Sequence, residues 1–297
     1  MSAVALLLPD FALILLGWGL RRYLALGDAF WSGLERLVYF VLFPALLFNA
    51  LLATRIVFSD AGPLIGAGLI AMACGMLFAL LARPLFGQAD IIFASHFQCA
   101  FRFNSYIGLA AAGTLSGASG IAAMGILLGS MVPFANLAAV AMLARHHRRG
   151  MWYEIVRNPL VLATLAGLAC NFAGMPYPDM ARHFLGRLAE ASITLGLLAV
   201  GAALRLPGHG NGGAPTAYLT AVKLIVVPAC AWVLGRAFGL APLYFEMLVV
   251  YAALPCATSA YILAVRMGGD GPGTARLISI STILAMLSMS GWISALA

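Results

Sequence analysis

Stretches of about 17 to 25 mostly apolar residues recur along the whole chain, each long enough to cross the hydrocarbon core of a bilayer as a helix. In lipid every backbone N–H and C=O must be satisfied within the protein, which leaves helices or a closed barrel, and runs of this length fit helices. A composition of 63% hydrophobic and 9% charged residues, with mean hydropathy +0.99, does not fit a water-soluble core. The expected fold class is an all-α polytopic membrane protein, with the lipid bilayer as its solvent. The expected spans are 4–20, 34–53, 62–82, 91–112, 119–143, 158–175, 188–204, 217–235, 244–265 and 274–296, ten in all. The N-terminal MSAVALLLPD lacks a basic leader region and an early small-residue cleavage site, so the first run reads as a retained span.

The net charge of +7 raises the question of nucleic acid, but in a membrane chain the position of each charge decides more than the sum. With the N-terminus outside, twelve cations fall on inner ends and loops, among them Arg21, Arg22, Arg36, Arg83, Arg145, Arg148 and Arg149. Arg55, Arg182, Arg187 and Arg236 are left outside. The positive-inside rule therefore places both termini outside, with RHHRR (145–149) as a cytosolic anchor and no nucleic-acid partner. The connecting segments 144–157 and 205–216 are too short for a further domain, so function must lie within the membrane.

The chain echoes itself. Pro9 precedes LERL (34–37) as Pro159 precedes LGRL (185–188), and FNSYIGL (103–109) parallels TSAYILA (258–264). The shared order, at an offset of about 150 residues, suggests a duplication. Residues 1–145 would form a first five-helix repeat, 146–157 a cytosolic basic connector, and 158–297 a second repeat. An odd number of helices per unit turns the second copy upside down.

The fourth and ninth spans are the most polar at their centres. The fourth carries His96, Gln98, Arg102, Asn104 and Ser105 ahead of Gly108, and the ninth carries Pro255, Thr258 and Ser259. A guanidinium at bilayer depth costs at least a few kcal/mol, so Arg102 needs a partner, a wet cavity or an anionic ligand. A proline within a span frees a backbone carbonyl. If both helices break and cross, N–H groups at the half-helix starts add positive potential beside Arg102, an arrangement suited to a carboxylate. The alternative is a plain proline kink, with Thr258 and Ser259 bonded back to their own helix.

The segments AFRFNSYIGLAAAG (100–113), ALPCATSAYILAVRMGGD (253–270), LVYFVLFPALLFNALL (37–52) and KLIVVPA (223–229) resemble bacterial transporters of the auxin efflux carrier family, which includes malate and malonate permeases. The resemblance runs along essentially the whole chain. It implies two inverted repeats of five helices, with helices 4 and 9 broken and crossing at the midplane. It also implies a scaffold of helices 1, 2, 6 and 7 beside a moving domain of helices 3–5 and 8–10, an inner-membrane location and a homodimer. Its crossover positions carry over to Arg102, Asn104 and Gly108 and to Pro255, Thr258 and Ser259. Relatives often have a proline after the glycine of helix 4; Leu109 stands here, which puts that break in question.

The expected function is a carrier of small organic anions, mono- or dicarboxylates, working by alternating access. A sodium-coupled symporter of the bile-acid type and a passive anion channel are the alternatives. The ten acidic residues fall at span ends or in loops, or close to the outer face, which leaves no midplane carboxylate for sodium. His96, within two turns of Arg102, is the candidate for proton coupling, with a packing role as the alternative. Ser105 joins the candidate substrate residues, as does Asn49 after Pro44, for which an interhelical hydrogen bond is the other reading. Lys223 is expected to snorkel to the cytosolic interface, and the spacings Gly113/Gly117 and Gly125/Gly129 to mark close helix packing. Nothing calls for a cofactor or a metal: the five cysteines have no paired spacing. HExxH and GxSxG are both missing from the sequence, so an enzyme is not the expected reading.

Overall fold

The computed structural model describes residues 3–24, 26–53, 58–143, 159–204 and 213–296. The basic connector 146–157 and most of the loop 205–216 lie outside the described residues. Among those described the protein is all-helical. Helices α1 (Ala3–Tyr23), α2 (Asp28–Leu37), α3 (Phe43–Ala53), α4 (Phe58–Phe86), α5 (Asp90–Phe97) and α6 (Ser105–Leu143) make up the first half. Helices α7 (Pro159–Phe172), α8 (Asp179–Ala203), α9 (Gly213–Ala221), α10 (Val227–Ala237), α11 (Pro242–Ala253), α12 (Ser259–Arg266) and α13 (Gly271–Leu296) make up the second. Helix occupies every predicted span. Six described stretches are long and apolar enough to cross a bilayer: Asp28–Ala53, Ala61–Phe86, Asp90–Leu143, Asp179–Ala203, Gly213–Ala237 and Gly271–Leu296. The chain is a multi-pass membrane protein.

The stretch Asp90–Leu143 folds back on itself. Ser116 and Gly117 leave helical geometry, Gly117 at φ 57° and ψ −142°, a region that only glycine enters without strain. A Cβ added at Gly120 would strike the Ala112 carbonyl, although eight residues along a straight helix would separate the two by about 12 Å. The Gly113/Gly117 spacing therefore makes a reversal and not the packing face expected. Gly125 and Gly129 do pack closely, against Leu47 and Thr164.

Two spans widen into a π-helical turn six residues before a proline. Val38–Leu42 precedes Pro44 and joins α2 to α3; Val222–Val226 precedes Pro228 and joins α9 to α10. Proline has no N–H for the carbonyl four residues back and clashes with it, and a wider turn relieves both problems. At the second site the Leu224 carbonyl instead accepts from Trp292 Nε1 at 3.0 Å.

Packing sorts the helices into two groups. Helix α1 lies against α8, with Gly17 set on the Leu198 backbone and Gly201 on that of Ile14, while α3 packs on α7 and α8. In the other group α10 contacts α4 and α11, and α11 contacts α6 and α13. The polar centre lies where the groups meet.

Candidate substrate site

Both polar spans are interrupted. Helix α5 passes through a 3-10 turn at Gln98–Ala100, residues 101–104 leave the helix, and α6 starts at Ser105. Helix α11 ends at Ala253, residues 254–257 leave the helix, and α12 starts at Ser259. The interruptions touch backbone to backbone, the Asn104 N–H donating to the Pro255 carbonyl at 2.9 Å. Irregular backbone at membrane depth persists only where its polar groups are buried and satisfied, and this contact satisfies one from each side.

The first interruption forms without a proline. Asn104 Oδ1 accepts from the backbone N–H of Tyr106 at 3.1 Å and of Ile107 at 3.4 Å, the geometry of a side chain capping a helix start. Gln98 Nε2 donates to the Ala260 carbonyl across the crossing and to the Ser95 carbonyl, both at 3.2 Å. The Arg102 guanidinium donates to Gln98 Oε1 at 3.2 Å and to Ser259 Oγ at 3.0 Å. Arg102 is thus buried and bridges the two interruptions.

Beside the crossing lies a cavity of about 500 Å³. Its wall takes Asn104, Ser105 and Tyr106 from the first interruption and Ala257, Thr258 and Ser259 from the second. Helix α2 and its π turn add Ser32, Glu35, Arg36 and Tyr39, and α8 adds Ala199 and Val200. The starts of α6 and α12 therefore both lie at the wall of one space, where the helix dipoles favour negative charge. Beside it Asn104 Nδ2, on a residue only 1% exposed, has no hydrogen-bond partner among the described residues. A smaller vestibule, about 320 Å³, shares Ser32, Glu35, Thr258 and Ile262 and runs toward Arg21, Asp28 and Ala275. At the other end Thr114 Oγ1 donates to Asp10 at 3.1 Å, joining α6 to α1.

The remaining sequence candidates fall outside the cavity wall. Arg102 stands one side chain behind it, holding Ser259. Gly108 faces Leu254, whose Cδ1 would lie 2.8 Å from an added Cβ, so it lets the two interrupted spans approach. Pro255 is buried at the crossing and acts through its carbonyl. Asn49 Oδ1 accepts from the Tyr177 hydroxyl at 2.5 Å. His96 lies on α5 away from the cavity, with Nε2 3.0 Å from Asp270 Oδ2 and Nδ1 buried without a partner among the described residues. Asp270 in turn caps α13, with Oδ1 accepting from the Gly273 N–H at 2.9 Å.

Two residues depart from the sequence reading. Lys223 does not snorkel: it is 2% exposed, and Nζ donates to the Ala252 carbonyl at 2.9 Å, in the last turn of α11. A cation at a helix C-terminus is favourable, and the π turn carries Lys223 inward to reach it. Glu35, expected at a span end, lies well inside α2 because that helix starts at Asp28, and it reaches the cavity wall. Charge near a predicted span end was the only signal for either.

Residues 143–293, just over half of the chain, match the family described as membrane transport protein. The chain belongs to this family. Its members of this type are the permeases of the auxin efflux carrier group, as the sequence resemblance implied. An uncharacterized transporter of Methanothermobacter thermautotrophicus is 25% identical over 301 residues, covering 98% of each chain. A protein of Rhizobium meliloti named "Putative malonate transporter" is 27% identical over 145 residues, 48% of this chain and 45% of its own length.

Proposed function

We propose that the protein carries small organic anions, mono- or dicarboxylates, across the cell's inner membrane by alternating access. The observation that carries this reading is a cavity at whose wall two half-helices, α6 and α12, begin, with Ser105, Thr258 and Ser259 in the wall beside them. The positive ends of both helix dipoles favour a negatively charged ligand there. A volume of about 500 Å³ lies in the range of small-molecule sites. The malonate assignment of the Rhizobium meliloti relative makes malonate the first ligand to try.

In this reading ten helices form two inverted repeats of five, with both termini outside. Helices α1, α2, α3, α7 and α8 are the scaffold, and the remainder moves against them. The vestibule then leads to the cytosol, and the Asp10–Thr114 bond closes the outer side. Cations behind the crossing, Arg102 and Lys223, add positive potential to that of the helix starts.

Counterflow in liposomes tests this. Purified protein loaded with unlabelled malonate should accumulate labelled malonate transiently, as only a carrier with a saturable site does. Asn104→Ala should weaken malonate binding about tenfold, because it uncaps the start of α6 at the cavity wall. No trans-stimulation with malonate or with any of a panel of carboxylates would overturn the reading.

A further inference from the structure

The cavity assigned to an anion has a carboxylate in its wall. Glu35 lines both the cavity and the vestibule, so anything moving between the crossing and the open end passes it. Among the described residues the Glu35 carboxylate takes part in no hydrogen bond or ion pair. Arg21, the cation whose field reaches it, is already committed to Asp28 at 2.5 Å and to the Ala202 carbonyl at 3.1 Å. The other ionisable groups around it are Arg36 and Tyr39 on its own span, Tyr106 from α6 and Tyr261 from α12. Helices α8 and α13 present only apolar side chains there, Ala199, Val200 and Ala203 from the first and Ala275 and Ile278 from the second.

Two negative charges in one half-buried cavity repel strongly, because little water screens them. A proton on Glu35 removes that repulsion, and an anion in the cavity makes the same proton easier to hold. Binding of each favours the other by the same factor. Resting on the anion-site reading above, we propose that Glu35 takes up one proton as an anion enters the cavity and releases it when the anion leaves, which makes the carrier a proton–anion symporter. The proton comes from water, forms an O–H bond on the Glu35 carboxyl and returns to water on the side of release. His96 is the less suitable carrier, because it faces Asp270 and not the ligand's path.

The test is malonate binding to the purified full chain between about pH 7 and pH 8.5, where malonate carries both its charges. With one proton taken up per anion, wild-type affinity should fall by up to about tenfold for each pH unit gained. Glu35→Gln should bind malonate with the same affinity throughout, and Glu35→Asp should keep the pH dependence. Melting temperature without ligand controls for folding. In liposomes an acid-outside gradient should drive malonate accumulation by the wild type; Glu35→Gln should exchange malonate without responding to the gradient. pH-independent binding by the wild type, or retained pH dependence in Glu35→Gln, overturns the proton step alone. Failure of the wild type to bind malonate or any carboxylate overturns the anion site and this proposal with it.

Discussion

The two interruptions reach similar geometry by different means. The second has a proline at its centre, Pro255, and a lysine from a neighbouring span holding the Ala252 carbonyl at the end of α11. The first has no proline between Gln98 and Ser105 and relies on its own side chains: Asn104 caps the new helix, Gln98 reaches across to Ala260, and Arg102 ties Gln98 to Ser259. Opening a helix at membrane depth thus depends on partners for the freed backbone groups, and proline is one way among others to free them. The cations differ too. Arg102 ends on a residue of the cavity wall, whereas Lys223 ends on a carbonyl behind it, so the first should matter to the ligand and the second to the fold.

The largest expected effect follows from that difference. Arg102→Ala releases Ser259 and removes a positive charge just behind the wall, and malonate affinity should fall at least about 100-fold, about 3 kcal/mol. Arg102→Lys keeps the charge but loses the planar fork that serves Gln98 and Ser259 together, and should fall about tenfold. Affinity measured alongside membrane abundance checks both; normal affinity in a well-folded Arg102→Ala protein would erase the distinction between the two cations. The smaller effect belongs to Lys223→Met, which leaves the Ala252 carbonyl buried without its donor. It should lower the melting temperature by the equivalent of about 1–3 kcal/mol while changing malonate affinity less than about threefold. The opposite pattern, an unchanged melting temperature with lost affinity, would bring Lys223 to the ligand.

The helices were legible because bilayer thickness sets their length and apolar runs of that length are hard to disguise. Their polar ends were less so. Helix α8 begins at Asp179, not near 188, because exposed Arg182 and Arg187 interrupt the apolar run without interrupting the helix. Helix α2 begins earlier for the same reason, and that shift carries Glu35 into the cavity wall. Within the site, the polar residues of the fourth and ninth spans drew attention by standing in apolar surroundings, and the structure brings Arg102, Asn104, Ser105, Pro255, Thr258 and Ser259 into one region. Their assignments were not legible, since a bond such as Arg102 to Ser259 joins residues 157 apart and leaves no local pattern. Gly108 and Asn49 look alike in sequence to residues that line a cavity, and only packing against Leu254 and the bond to Tyr177 distinguish them. The missing proline after Gly108 misled because a capping asparagine does the same work.

The account stands on an anion lying between the two helix starts. In a protein with its five native cysteines replaced, single cysteines at Ser105 and at Thr258, one from each interruption, report on that space through their rate of modification by a small thiol reagent. Saturating malonate should slow modification at both positions and leave unchanged a cysteine at Met180, which is 87% exposed at the start of α8. Unchanged rates at Ser105 and Thr258, in protein that demonstrably binds malonate, would place the anion elsewhere and contradict the site.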